Sequence, residues 1–487
     1  MSSGTDRLKA LSPAEWFASN KGLLGFTNLA RSLHMTVKEM VDNSLTACEE
    51  AGILPEITVE IAALSDKSFR VKVGDNGPGL PESTIVKAFG TFLVSHYSLK
   101  QSRSILGVGL KAVILAAQAT TATPATIESS LDGKKGISMK LQIDLKKNVA
   151  DVIARQEVAV PRGMRIEVVT NGDYLRAAKG IKEYLSQTAI IAPYADVRFT
   201  EPNGTVTHYS RVIDKLPTAP KEMPPHPHGI DVEMFKSLVR DSKSAPLSSF
   251  LRHRFQRVGP KVALEVCGLA GVEPTTKSKA LAPEQIRKLI DVMAGYKFVR
   301  PDASGLSPVD AESLKVGLEK SMKPEWCETT LRDPSSYSGY PFQVTVGLTF
   351  GGESAPAGVS LLRFVNRIPL IHDEAGDVCR KVANQMDWRR YRVDPNNDRI
   401  MVAISVVSVK PPYKTASKEV LEDVAELEDE IRLGMQEVGR KLALHLSARE
   451  KKESQAKRQQ VYDIYVPQAL KFLSETAEVP VPRVAKK

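Results

Sequence analysis

Apolar residues Phe26, Leu29, Leu33, Val37, Val41 and Leu45 recur at spacings of three and four, the period of an amphipathic helix. The runs ITVEIAAL and SFRVKVGD follow it, then ATIESSLD, GISMKLQID and MRIEVVT. Each alternates or clusters its apolar residues as a short strand does. A short helix is predicted over Pro81 to Phe89, with the proline near its start, and another over Tyr174 to Gln187. Antiparallel strands with helices on one face predict an α+β domain over residues 1–228. Prolines between Pro217 and Pro227 forbid helix and central strand, marking a linker. Residues 229–304 then read as several short helices, VEMFKSLVRD, LSSFLRHRF, KVALEVCGLAGV and APEQIRKLIDVMAG. Residues 305–470 form a third unit, with strand patterns PFQVTVGLTF, LLRFVN and IMVAISVVSV. A long helix is predicted from near Lys418. Its stripe is Val420, Val424, Leu427, Ile431, Met435, Val438, Leu442 and Leu446, and its start is acidic. Helix is expected as far as Thr476, and residues 471–487 read as a C-terminal tail.

The composition is that of an ordinary globular protein, 42% hydrophobic and 25% charged. The net charge of +10 suits a polyanionic partner without proving one. In the helical unit Arg252, Arg254, Arg257 and Lys261 fit either a DNA contact or a solvated face. Cys48, Cys267, Cys327 and Cys379 lie far apart with no CxxC, so free thiols of a reducing cytosol are expected. His226 and His228 have no Cys, Asp or Glu cluster near them, which argues against a metal site there. The chain starts without an apolar signal region and has no run of about 18 apolar residues. A cytoplasmic protein outside the membrane is expected.

Three stretches carry candidate chemistry. Glu39 and Asn43 are four residues apart on the first helix, so their side chains share one face. Alone, such a pair far more often marks a solvated helix face. Asp75, Gly77 and Gly79 follow a strand-like run. Gly107 and Gly109 open a helical pattern in SILGVGLKAVILAAQ, where a glycine backbone and a helix N-terminus suit a phosphate. The order ExxxN, DxGxG, GxG before a helix, all within the first 120 residues, resembles the GHKL ATPases.

The resemblance narrows. EMVDNSLTACEEAGILPEITVEI, FGTFLVSHYSLKQSRSILGVGLKAVILAAQ, KEMPPHPHGID, YSGYPFQVTVGLTFGG, LRFVNRIPLIHDE, DWRRY and PPYKTASKE stand in this order. They are similar to the B subunits of DNA topoisomerase VI, the ATPase subunits of the type IIB topoisomerases, along nearly the whole chain. The resemblance implies a multidomain α+β protein: a GHKL (Bergerat) α/β sandwich, a helix–two-turn–helix domain, and a transducer ending in a long helix. It implies ATP and Mg2+ as cofactors. By the same resemblance Glu39 is the general base, Asn43 the Mg2+ ligand and Asp75 the acceptor of the adenine amine. Gly77 and Gly79 pass close to the base. Gly90 to Leu106 forms a lid. The triphosphate is wrapped by Ser104, Ile105, Leu106, Gly107, Val108, Gly109, Leu110 and Lys111. Lys418 is the switch lysine reaching from the transducer to the γ-phosphate, with Lys414, one turn away, as its alternative.

Two positions depart from the family pattern. His96, after Ser95, replaces a lid lysine, and Met164 replaces a threonine whose hydroxyl supports the adenine-binding aspartate. A hydrogen bond on Asp75 that is missing, or made by water instead, is therefore expected. No acidic cleavage constellation is visible in the sequence, so DNA cleavage is assigned to a partner A subunit. An A2B2 assembly, an ATP-dependent dimer and double-stranded DNA complete the expected partners. A non-catalytic scaffold for a DNA-cleaving partner, or another GHKL protein such as a MutL-like protein or a histidine kinase, are the alternative readings.

Overall fold

The computed structural model describes residues 25–90, 99–103, 109–352, 355–414 and 418–477, with a few positions between 12 and 22. Two β-sheets organise the chain. The first has eight strands: β1 (Glu56–Ala63), β2 (Ser68–Asp75), β3 (Ala125–Ser130), β4 (Gly136–Asp144), β5 (Val149–Val158), β6 (Gly163–Asn171), β7 (Asp196–Thr200) and β8 (Val206–Tyr209). Their order is β5-β4-β3-β6-β2-β1-β7-β8. Among the described strands of this sheet only β1 and β7 run parallel. Alternation drives the pairing: Ile57, Val59 and Ile61 are buried on β1, and Phe69, Val71 and Val73 on β2. Val59 sits opposite Val73, which in turn sits opposite Ile166.

Against this sheet lie α1 (Leu29–Glu50), α3 (Gly109–Thr121) and α4 (Tyr174–Ile191), while α2 (Glu82–Gly90) packs by β4 and β5. Helix α1 starts at Asn28, whose side chain accepts from the Arg31 N–H. It buries Leu33, Val37, Met40, Val41 and Leu45, each worth about 2 kcal/mol of transfer free energy. The strands β5, β7 and β8 are not expected from the sequence pattern.

Four helices follow the linker: α5 (Val232–Arg240), α6 (Leu247–Arg254), α7 (Pro260–Leu269) and α8 (Pro283–Gly295). They close on their own core around Phe235, Phe250 and Phe255. His226 and His228 bond the carbonyls of Val299 and Tyr296, at 3.0 and 2.7 Å. They fasten the linker, and no cluster of three metal-ligating side chains exists among the described residues. All four cysteines are free and buried.

The second sheet orders as β10 (Ser335–Tyr337), β11 (Tyr340–Phe350), β14 (Arg399–Ser408), β12 (Gly358–Val365), β13 (Ile368–Pro369), with β9 (Trp326–Leu331) pairing β11. Helices α9 (Ala311–Met322) and α10 (Val378–Gln385) accompany it. The last helix, α11, spans Ala425–Ala477. Its Leu427, Ile431, Met435, Val438, Leu442 and Leu446 are all buried in the core around this sheet. At Gly434 the helix comes so close to the sheet that an added Cβ would stand 2.6 Å from Val346.

One expectation is corrected here. The long helix begins at Ala425, not near Lys418. Lys418 takes a left-handed φ of 57°, Leu421 donates to Asp377 at 2.8 Å, and Tyr413 bridges Leu421. Val420 is buried and Val424 half-buried from a loop, so their four-residue spacing imitates a helical stripe. Lys414 is accordingly not one helical turn from Lys418.

The two sheets meet through an apolar joint. Ile190 and Ile191 at the end of α4 pack with Leu314 and Leu318 of α9 and with Phe364 and Ala403. Gly317 makes the approach feasible, since a Cβ there would lie 2.1 Å from the Ile190 carbonyl oxygen. No described helix is long and apolar enough to cross a membrane.

Candidate nucleotide site

A cavity of about 200 Å3 opens between α1, β2, α2 and α3. Its lining includes Asn43, Ser44, Asp75, Gly79, Gly109, Leu110, Lys111 and Met164. A larger, open depression of about 520 Å3 runs by Glu82, Lys134 and Arg155, and touches none of Glu39, Asn43 or Asp75.

Asp75 ends β2, and the β2–β6 pairing brings it beside Gly163 and Met164. One oxygen, Oδ1, accepts from the N–H groups of Gly77 and Met164, at 2.9 and 3.1 Å. The other, Oδ2, accepts from Ser44 Oγ at 2.9 Å. Burial pushes the carboxyl pKa up, and these bonds hold it partly back. Met164 gives Asp75 its backbone N–H and no side-chain donor, and the hydroxyl that reaches the carboxylate is that of Ser44. Glycine is required on both sides. A Cβ on Gly163, at φ 114°, would lie 2.0 Å from the Asp75 carbonyl oxygen. One on Gly79, at φ 69°, would lie 2.4 Å from that of Ser130.

Glu39 and Asn43 stand one turn apart on α1, as the spacing predicts. Asn43 Nδ2 donates to the Glu39 carbonyl at 2.6 Å. The Glu39 carboxylate lies against Gly109, at the first residue of α3, where a Cβ would stand 1.7 Å from Oε2. Helix α3 therefore presents its N-terminus to this carboxylate. Lys111, in the first turn of α3, is buried, and desolvation lowers its ammonium pKa.

Sequence reasoning overlooked Lys38. Its Nζ lies 3.1 Å from Asp42 Oδ2 and 3.4 Å from Glu39 Oε1, and Asp42 Oδ1 accepts from Tyr184 at 2.8 Å. Burial disfavours the Lys38 charge, yet Glu39 and Asp42 outweigh it and hold the pKa above the ordinary lysine value. The only signal in the sequence was its adjacency to Glu39.

Lys418 reaches this neighbourhood from the second sheet's side of the chain. Burial lowers its pKa first, Glu39 opposes that, and Lys38 adds to the lowering. Arg31 at the start of α1 forms an ion pair with the next residue, Glu419. Lys414 instead donates to the Gly376 carbonyl and is exposed. Ser95, His96, Ser104, Ile105, Leu106, Gly107 and Val108 lie outside the described residues. So does most of the Gly90–Leu106 stretch expected to form the lid.

Comparison with known proteins places this geometry. Residues 28–147 match the family described as histidine kinase-, DNA gyrase B- and HSP90-like ATPase. Residues 301–458 match the topoisomerase VI B subunit transducer. The chain is 37% identical over 482 residues to the B subunit of type 2 DNA topoisomerase 6 from Metallosphaera sedula, covering 97% of this chain and 91% of that protein. It is 37% identical over 483 residues to the same-named protein of Saccharolobus shibatae, with the same coverage. A cavity floored by Asp75 and flanked by Glu39 and Asn43, on an ATPase domain followed by a transducer, thus belongs to a member of the family of type 2 DNA topoisomerase 6 B subunits.

Proposed function

We propose that the chain binds ATP with Mg2+ in the α1–β2–α3 cavity, hydrolyses it, and uses the cycle to gate DNA passage. The observation that carries this reading is the meeting of Glu39 with the N-terminus of α3 at Gly109, beside an Asp75 whose two oxygens are already oriented. In this reading Asp75 accepts from the adenine amine, Gly77 and Gly79 let the base approach, and the backbone of 104–111 cradles the phosphates. Glu39 takes the proton of the attacking water. Lys418 neutralises charge on the γ-phosphate. Burial lowers its pKa by desolvating the charge, a cost that an incoming anion offsets.

Asn43 fits a hard cation. Its Nδ2 is taken by the Glu39 carbonyl, which leaves the carboxamide oxygen as ligand, and Mg2+ bound there supplies charge neutralisation for the phosphates. Residues 1–228 form the ATPase domain, 229–304 the helix–two-turn–helix domain, 305–470 the transducer and 471–487 the tail. Two such chains dimerise on ATP and join two DNA-cleaving A subunits in an A2B2 assembly in the cytoplasm. That assembly relaxes and decatenates double-stranded DNA. In the helical domain Arg254 and Arg257 bond the carbonyls of Asp241 and Arg300. Arg252 and Lys261 remain exposed for DNA.

Plasmid relaxation tests the division of labour. Activity should appear only with ATP, Mg2+ and an added A subunit, while slow ATP turnover persists without it. Relaxation by the pure chain alone would overturn the scheme, and absence of any ATP turnover would favour the scaffold reading.

A further inference from the structure

The segment 99–103 leads into the glycine stretch that opens α3, and its contacts run in two directions. Arg103 forms a two-pronged ion pair with Glu49, both distances 2.7 Å. Glu49 stands on α1, the helix that carries Glu39 and Asn43, and also accepts from the Tyr194 hydroxyl at 2.5 Å. From the other sheet, Asn366 Nδ2 donates to the Ser102 carbonyl at 3.0 Å. Arg367 brings a second guanidinium to within 3.6 Å of Glu49. Gln101 exchanges hydrogen bonds with Ser307 in both directions, at 3.0 and 2.7 Å.

Asn366 and Arg367 form the tip of the β12–β13 hairpin, both with positive φ, 49° and 66°. Such a two-residue turn ordinarily carries Asn then Gly, and arginine at the second place is strained. The strain is accompanied by a specific gain, since both side chains of the tip reach the other domain. The side chains of Arg103, Glu49 and Arg367 are 3, 10 and 5% exposed. Two buried cations share one carboxylate. Among the described residues Arg103 Nε and Arg367 Nε have no hydrogen-bond partner. A contact serving stability alone is poorly made this way, because buried charge left short of partners is costly. A contact that must hold in one state and loosen in another is well made this way.

We propose that Arg367 and Asn366 are positioning residues for the nucleotide site. They tie the transducer hairpin to α1 and to the segment entering α3, so nucleotide affinity depends on transducer position at a point separate from Lys418. The proposal rests on the nucleotide reading above. Because such coupling is reciprocal, bound nucleotide acts back on the hairpin by the same factor.

The test uses the full chain with R367Q, N366G and, as a control, L314A. Leu314 is fully buried in the apolar joint between the same two units, away from this cluster. Glycine suits the positive φ of position 366, so N366G keeps the test readable if R367Q folds poorly. Calorimetry with a non-hydrolysable ATP analogue reads affinity, scattering reads the analogue-induced change of shape, and melting without nucleotide reads stability. R367Q and N366G should weaken analogue binding about 5-fold or more and shrink the change of shape. L314A should lower the melting temperature at least as much while leaving affinity near wild type. Wild-type affinity in both R367Q and N366G overturns the proposal, as does an affinity loss in L314A that tracks its melting temperature in the same way. A wild-type chain that binds no analogue overturns the nucleotide reading itself, and the clamp with it.

Discussion

The carboxylate of Glu39 and the α-carbon of Gly109 occupy adjoining space, with room for a hydrogen between them and none for a methyl group: a Cβ would stand 1.7 Å from Oε2. G109A should therefore act as an active-site mutation by displacing Glu39. A misplacement of about 1 Å costs on the order of 100-fold in rate. Steady-state ATPase assays should show that loss in kcat, with melting temperature changed by a few degrees at most. A variant with wild-type turnover would detach Glu39 from the chemistry.

Asp75 is held by three donors, and its substitutions should rank accordingly. D75A should abolish measurable nucleotide binding in calorimetry. S44A removes one hydrogen bond worth about 1 kcal/mol, hence roughly 5-fold in affinity. M164T should gain little, because both carboxylate oxygens already have donors. If M164T binds about 10-fold more tightly, the Ser44 hydroxyl does not do the work assigned to it.

Glu39 and Lys418 should fail in different ways. E39A should keep analogue binding and ATP-driven dimerisation while turnover drops by roughly 100-fold or more. K418A removes a cation from a loop outside the nucleotide helix, so it should lower turnover and also flatten the difference in scattering between analogue-bound and ADP-bound states. Should K418A switch normally while K414A does not, the switch lysine is Lys414.

His34 sets a pH dependence. Its ring is buried edge-on to His372 and Tyr184, at 5.3 and 5.9 Å, and neither nitrogen has a partner among the described residues. Burial, then His372, Lys38 and Arg31, lower its pKa from 6.5 to about 3. The unfolded chain therefore binds a proton that the folded chain refuses, and stability falls as pH drops below 6.5 toward 3. The slope is up to about 1.4 kcal/mol per pH unit, and above that window the histidine contributes nothing. H34F should show a smaller loss of urea midpoint between about pH 7 and pH 5 than wild type. An equal loss in both would assign the acid sensitivity elsewhere.

Local pattern made α1, β1, β2 and the glycine turns readable in the sequence, because each is specified by period and by residues that tolerate little else. The edge strand β5 was not readable: its residues are exposed on both faces for most of its length, so no alternation marks it. The parallel partner β7 joins β1 across a separation that periodicity cannot report. Ser44 sat beside Asn43 in plain view, but its tie to Asp75 depends on how α1 lies over β2. The loop around Lys418 was misread because Val420 and Val424 stand at helical spacing, four residues apart, before the helix begins. Arg367 and Glu49 meet only in three dimensions, and no local rule pairs them.

The tight contact of Gly317 with Ile190 has a mechanical consequence. A joint with backbone pressed to backbone resists sliding at that point and favours rotation about it. Helix α11 leaves the core after Leu446, and from Arg449 to Thr476 it runs almost wholly exposed, about 40 Å of unsupported rod at 1.5 Å per residue. A turn of roughly 10° at the joint, of the order seen in domain rotations, would carry the far end about 7 Å further than the base of the rod. The exposed stretch thus works as a long lever arm, and a small rotation in the core becomes, at its far end, a displacement large enough to pull a pair of protein surfaces away from each other.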